Sequence, residues 1–404
     1  MNIIFFTLFR TDNPYSSISL SMAKELAKNH RVFYVNHPYT LKDCWTERRD
    51  PALKKRLGKM LLGQTGYESV ASIPQNFVAA QPPATLPIGM LPKGAIFDFF
   101  QKINNGIVLK SIRKVLKDNE IDDFIFINCY DPYYAGVLPK SFGARLNIYH
   151  CIDDIRENPY SAKHAADLED DWIRRADVTF VTSTNLFRLK KTLTDRIETY
   201  FNAADVAVFK QVLEKKYDRP KELEGRTGKV IGFVGNLDEL RIDYPLLKKV
   251  AEAHPDKTLL LVGPKNSPEI GLLGLENVPN IVFAGSKKLD QLPQYVQYMD
   301  VVLIPFLLNT LTASIYPLKI NEYLAAGRAV VSTSFSDDIR SFGEVIYLGE
   351  NHDGFIKLVD KAISENNPER IAARTAVANS NTWEARIAQL WEIVEKYAPQ
   401  KLPA

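Results

Sequence analysis

The chain has 404 residues, more than one ordinary core organises, so two domains are expected. Hydrophobic residues make up 46% and charged residues 25%, the balance of a soluble globular protein, and a net charge of +3 gives no global reason to expect nucleic acid as a partner. Three cysteines, Cys44, Cys129 and Cys151, show no CxxC spacing, which argues against a disulfide framework or a structural zinc and fits a reducing cytosol.

The opening MNIIFFTLFRTDNP lacks the basic start, longer apolar stretch and small-residue cleavage site of a secretory signal, and reads as a buried strand over Asn2–Phe9. A helix over Ser16–Lys28 and a strand over Val32–Asn36 complete a βαβ unit. Lys42–Gly63 then carries seven basic and three acidic residues, and the proline-rich Gln75–Lys93 reads as loop or extended chain. A helix around Gly106–Lys117 follows. Strands are expected at Phe124–Asn128, Leu146–Cys151 and Val178–Thr182, with a helix at Ala165–Arg175. The charge-rich Val206–Lys229 reads as a linker. A second series begins with the strand Val230–Val234, the helix Tyr244–Ala253 and the strands Thr258–Val262 and Asn280–Ala284. It continues with the helix Leu289–Tyr298, the strands Val301–Pro305 and Ala329–Ser332, a further strand within Glu344–Leu348, and the terminal helix Trp383–Tyr397. Strands alternating with helices predict two mostly parallel sheets. Ligands bind beyond the carboxyl ends of such strands, so a site in a cleft between two doubly wound domains is expected. No stretch approaches the roughly 18 apolar residues of a membrane span, so the expected location is cytoplasmic, or peripheral on the inner leaflet of the cell membrane.

One stretch, IYPLKINEYLAAGRAVVST (Ile315–Thr333), places Lys319 and Glu322 at the start of a helix that leads into a buried strand. Unpaired amides and the helix dipole favour an anion there, Lys319 adds a full charge, and a carboxylate one turn on can accept both hydroxyls of a diol such as a ribose. Gly327 suits the helix end. An ordinary amphipathic helix with a favourable first-turn carboxylate would look the same.

The neighbouring segments carry more. IGFVGNLDELRIDYPLL (231–247), LLLVGP (259–264), NIVFAGSKKLDQLPQYVQYMDVVLIPF (280–306) and YPLKINEYLAAGRAVVST (316–333) resemble, in that order, the glycosyltransferases of the GT-B fold. YHCIDDIRENP (149–159) and ADVTFVTS (176–183) extend the resemblance weakly into the first half. The resemblance implies two Rossmann-like domains facing a central cleft: an N-terminal acceptor-binding domain over 1–205, with the terminal helix from 383 packing back on it, and a nucleotide-sugar donor domain over 206–382. It implies that Glu322 binds the nucleotide ribose and that Tyr316, Pro317, Leu318 and Lys319 hold the diphosphate. Gly235 and Asn236 then face the donor phosphates, while Gly263 and Ser286, in the loop Gly285–Leu289, lie near the base. Asp205 stands where relatives carry an Asn-Gly-x-Asp loop. The donor implied is a UDP-sugar, and the acceptor a lipid-linked or saccharide one of cell-surface polysaccharide or glycolipid assembly, of the teichuronic acid or exopolysaccharide type.

The chain also departs from the pattern. Many retaining members carry a second glutamate eight positions before the first, and Ser314 stands there. The usual arginine after the first glycine is Asn236, for which Arg241 or Lys319 can compensate. YPLK also looks like the run of inverting bacterial glucuronosyltransferases, which use an aspartate of the N-terminal domain as base. That directs attention to His150-Cys151-Ile152-Asp153-Asp154 after a buried strand, with Asp153 the first candidate base and His150 the second. A capping role for Asp153 or Asp154 is the alternative, and Asp131, before Pro132, reads chiefly as a turn residue. No DxD motif is present, so no metal or other cofactor is expected; helix amides and Lys319 would stabilise the leaving diphosphate. The spacing of Leu53, Leu57, Met60 and Leu61 among basic residues in 42–63 gives either a membrane-surface helix or one packed on its own domain. A non-catalytic nucleotide-binding protein of the same fold is the competing function. An NAD enzyme is disfavoured because TLFRTDNP, not GxGxxG, follows the first strand.

Overall fold

The computed structural model describes residues 1–13, 17–70, 73–157 and 163–398. Pro14, Ser16, Asn158 and Pro159, at the edges of stretches named above, lie outside them. The chain divides into two compact units. The first comprises Met1–Thr182, Leu186–Tyr200 and the chain from Ile387 on; the second comprises Ser183–Asn185 and Phe201–Arg386.

The first unit holds β1 (Asn2–Thr7), β2 (Arg31–Asn36), β3 (Gly66–Glu68), β4 (Phe77–Gln81), β5 (Phe124–Cys129), β6 (Leu146–Cys151), β7 (Val178–Val181) and β8 (Ile197–Thr199). They form one sheet in the order β3-β4-β2-β1-β5-β6-β7-β8, parallel except where β3 runs against β4. The central strands are apolar at nearly every position because helices cover both faces, and Ile3, Ile4, Phe5 and Phe6 of β1 have no exposed surface. The winding direction reverses between β1 and β5, so the loops after β1, β2 and β5 gather at one end of the sheet. The last helix closes the other flank. Gln389 Nε2 donates to the Thr199 carbonyl of the edge strand at 3.0 Å, and Lys396 pairs with Glu198 at 2.6 Å.

The second unit holds β9 (Val230–Val234), β10 (Thr258–Val262), β11 (Ile281–Gly285), β12 (Val301–Ile304), β13 (Ala329–Thr333) and β14 (Tyr347–Gly349). The order β11-β10-β9-β12-β13-β14, all parallel, is that of a dinucleotide-binding domain, and its switch point lies between β9 and β12. Gly232 leaves room in the middle of β9 for Met299, whose sulfur would lie 2.1 Å from a Cβ at that position.

Two readings change, and two segments gain detail. The expected linker opens with a helix, Val206–Glu214, and Val206, Phe209 and Val212 enter the core of the second unit; the run of charge that follows hid their three-residue spacing. The extended region 75–93 supplies β4, and the helix expected from Gly106 begins at Ala95. In segment 42–63, the helix Pro51–Leu61 turns Leu53 and Met60 inward against Tyr39 and Cys44, and its Arg56 is buried on Asp12 and Glu68. Much of its apolar face is thus spent inside the domain, while Trp45 and Leu62 stay 71% and 75% exposed. No helix among the described residues is long and apolar enough to cross a membrane.

The first unit also buries an ion pair completely. Lys190 Nζ lies 2.5 Å from Glu169, which accepts a further bond from the Tyr149 hydroxyl at 3.2 Å. Removing one partner leaves a charge stranded in the interior. Lys190→Met is therefore expected to lower stability by about 3–5 kcal/mol in denaturant unfolding, and the double replacement Lys190→Met/Glu169→Leu to recover most of that loss.

Candidate functional site

At the carboxyl end of the second sheet, a glycine with positive φ closes each of three neighbouring strands: Gly235 (+149°) after β9, Gly263 (+153°) after β10 and Gly285 (+71°) ending β11. Backbone bonds tie the turns together, Gly235 N donating to Val262 O at 2.8 Å and Gly263 N to Gly285 O at 3.0 Å. At the first two, the packing leaves no room for a side chain. A Cβ at Gly263 would lie 1.8 Å from the Gly235 carbonyl oxygen, and one at Gly235 would lie 2.1 Å from Lys319 Cε. The Lys319 side chain thus rests directly on bare backbone.

Lys319 is the second residue of the helix Leu318–Ala325, whose N-cap, Pro317, supplies no side-chain cap to the first amides. Its ammonium lies 5.7 Å from the ring centre of Phe233 and 5.9 Å from that of Phe306. Burial pulls the Lys319 pKa down, with Glu322 acting in the opposite sense and Arg241 in the same one. Burial likewise raises the Glu322 carboxyl, against the pull of Lys319 and with the push of Asp205. Both residues are half-buried, and among the described residues neither charged group makes a hydrogen bond or a close ion pair. Two opposite charges drawn from water and without hydrogen-bonded partners, beside an uncapped helix end and a side-chain-free turn, suit a ligand with an anionic end and a hydroxyl-bearing end.

The other expected donor residues divide. Tyr316 is buried: its ring stacks on Phe201 at 5.0 Å, its hydroxyl accepts from Asn321 Nδ2 and its carbonyl from Asn202 Nδ2. Its side chain therefore anchors the helix start, and only its backbone neighbours are free to meet a ligand. Asn236 is exposed and accepts from Asn266 at 2.9 Å; Arg241 is exposed, paired with Asp238 at 3.1 Å. Ser286 is exposed just beyond Gly285. Ser314, where a second carboxylate was sought, is buried and bonded to Asn185 Nδ2 at 2.9 Å.

In the first unit, His150 corrects an expectation. It lies within β6 with no exposed surface, its Nδ1 3.4 Å from Cys129 Sγ and its ring edge-on to Phe180 and Tyr200. Burial pushes its pKa down to about 3, so it is a neutral core residue rather than one presented at the sheet's end. Asp153 is half-buried beyond β6; burial raises the pKa of the Tyr130 phenol, and the nearby Asp153 charge pushes it the same way. Asp154 does cap, its Oδ1 accepting from Arg156 N at 3.2 Å. Asp131 is wholly buried and bonded to His37 at 2.6 Å. His37 escaped the sequence reading, although it too follows a buried strand and precedes a proline.

Residues 228–375 match the family described as glycosyl transferases group 1. They form a group 1 glycosyl transferase domain. TuaH of Bacillus subtilis (strain 168), a glycosyltransferase named for teichuronic acid biosynthesis, is 27% identical over 237 residues; the match takes in 56% of this chain and only 59% of that protein. Among solved structures, Anabaena HepE in complex with UDP-glucose aligns over 98% of this chain and 100% of its own, with a TM-score of 0.64 and 15% identity. The α,α-trehalose 6-phosphate synthase of Burkholderia multivorans aligns over 99% of both chains, with a TM-score of 0.68 and 11% identity. The chain has the GT-B fold, built from two Rossmann-like doubly wound domains.

The glycine turns give a graded prediction. Gly263→Ala sets a methyl group against backbone that cannot move aside and is expected to cost roughly 3 kcal/mol, whereas Gly235→Ala meets only the end of a flexible lysine and should cost roughly 1–2 kcal/mol. Thermal unfolding of the two variants checks the order.

Proposed function

We propose that the chain is a glycosyltransferase that moves a sugar from a UDP-sugar to a lipid-linked or saccharide acceptor in the assembly of a cell-surface polysaccharide or glycolipid. The observation that carries this is the half-buried Lys319–Glu322 pair, without protein partners, at the uncapped start of a helix in a group 1 glycosyl transferase domain. Lys319, the amides that follow Pro317 and the bare turn at Gly235 hold the diphosphate, and Glu322 accepts the ribose hydroxyls. Asn236 and Arg241 border the phosphates, and Gly263 and Ser286 border the base. As the bond to the sugar breaks, charge grows on the diphosphate, where Lys319 and the helix amides are already in place, so the stabilisation needs no rearrangement. HepE, of the same fold, binds UDP-glucose, and TuaH is named for a surface polysaccharide. Asp153 is a candidate for acceptor activation. The exposed Trp45, Leu61 and Leu62, beside Arg48, Arg49, Lys54 and Lys55, give the first unit a basic and apolar surface suited to the inner leaflet.

Titration calorimetry with UDP, GDP, ADP and TDP, without added metal, tests the donor site. UDP is expected to bind, and Glu322→Ala or Lys319→Met to weaken it about 10- to 100-fold, the loss of charge-assisted hydrogen bonds. Failure of every nucleotide to bind wild type would overturn the reading. On vesicles containing anionic lipid, wild type is expected to sediment more than the Trp45→Ser/Leu62→Ser variant, and equal sedimentation removes the membrane surface from the proposal.

A further inference from the structure

The loop after β5 is built to hold one carboxylate. Asp131 has no exposed surface; its Oδ1 accepts from the amides of Tyr133 and Tyr134 at 2.9 and 3.2 Å. Asn128 clamps the loop from within the strand: its Oδ1 accepts from Asp131 N, and its Nδ2 donates to the carbonyls of Asp131, Tyr134 and Ala135. Two residues other than glycine are held in left-handed conformations on either side, Tyr130 at φ +62° and Ala135 at φ +41°. Each such residue strains the backbone, a strain that structures commonly carry where a functional group must be aimed.

The remaining oxygen of Asp131, Oδ2, meets His37 Nδ1 at 2.6 Å. His37 follows β2, and Pro38 restricts its backbone to extended conformations. A buried carboxylate favours a proton on Nδ1, and in that tautomer of the neutral imidazole Nε2 carries the lone pair that can accept a proton. Nε2 has no hydrogen-bond partner among the described residues, and the side chain is 19% exposed against 0% for Asp131. The rings of Tyr133 and Tyr134, with centres 6.4 and 5.4 Å from that of His37, flank the imidazole. β2 and β5 lie on either side of β1, and both groups sit at the carboxyl ends of their strands, the ligand-binding edge of a doubly wound sheet.

We propose that His37 takes the proton from the acceptor hydroxyl, and that Asp131 is the positioning residue that orients it. The proposal rests on the transferase reading above. Nε2 accepts the hydroxyl proton as the hydroxyl oxygen bonds to the anomeric carbon. The bond from that carbon to the diphosphate oxygen breaks, and its electron pair leaves on UDP. Asp131 stabilises the imidazolium until the proton passes to solvent.

The test has two arms. Nitrogen NMR of histidine-labelled wild type is expected to show His37 protonated at Nδ1 and bare at Nε2, and Asp131→Asn to shift the proton to Nε2; a wild-type imidazole protonated only at Nε2 overturns the proposal without any turnover assay. In UDP release from UDP-glucose, His37→Gln is expected to lower kcat about 100-fold or more with KM and UDP affinity unchanged, the usual share of a general base. Free imidazole should restore part of the rate in His37→Ala. Wild-type kcat in His37→Gln, or loss confined to Asp153→Asn, overturns the proposal and leaves the transferase reading standing. Wild type that binds no UDP removes both.

Discussion

A lysine lying on bare backbone organises the second unit. The Lys319 chain covers Gly235 so closely that any side chain there would collide with it, and Gly235 in turn presses its carbonyl against Gly263. Both glycines hold values of φ that other residues resist. The contact fixes where β9 and β10 may end, how near the helix Leu318–Ala325 comes to the switch point, and how far the ammonium is drawn from water. Tyr316 holds the other side of the same arrangement, locked between Phe201 and Phe342 with its carbonyl bonded to Asn202. The helix start is rigid while its charged groups are left without partners, which is the preparation an anion site requires.

The first unit solves a different problem by similar means. A carboxylate is expensive to bury, and Asp131 is made tolerable by two amides and one imidazole. Its loop gives up ordinary backbone geometry at Tyr130 and Ala135 to make those bonds. Glu169 and Lys190, buried in the same unit, have no such exposed outlet. The contrast separates a pair that serves the fold from one with a face turned to solvent.

The architecture was legible because burial on both faces leaves a plain mark. VIGFV, TLLLV and LNIYHC are strands with the limits expected, since apolar runs of that length between turn residues have few other uses. Val206–Glu214 was hidden because fifteen largely polar residues after it dominate the composition of the segment. The approach of Lys319 to Gly235 joins residues far apart in the chain, and no local spacing announces it. His37 was missed for the same reason: a single histidine has no periodicity, and only the sheet order sets it opposite Asp131. His150 misled in the opposite direction, since lying in the last turn of a strand's sequence does not say whether a side chain points out of the sheet's end or into its body.

The unsatisfied pair at 319 and 322 ties the lifetime of the chain to its ligand. Whatever occupies that site binds the folded state alone, so by mass action it draws molecules away from the unfolded one. In a cell, the fraction open to proteases rises when such a ligand is scarce and falls when it is abundant. The amount of the chain would then follow the supply of that ligand with no dedicated regulator, through the physical chemistry of one incompletely compensated site.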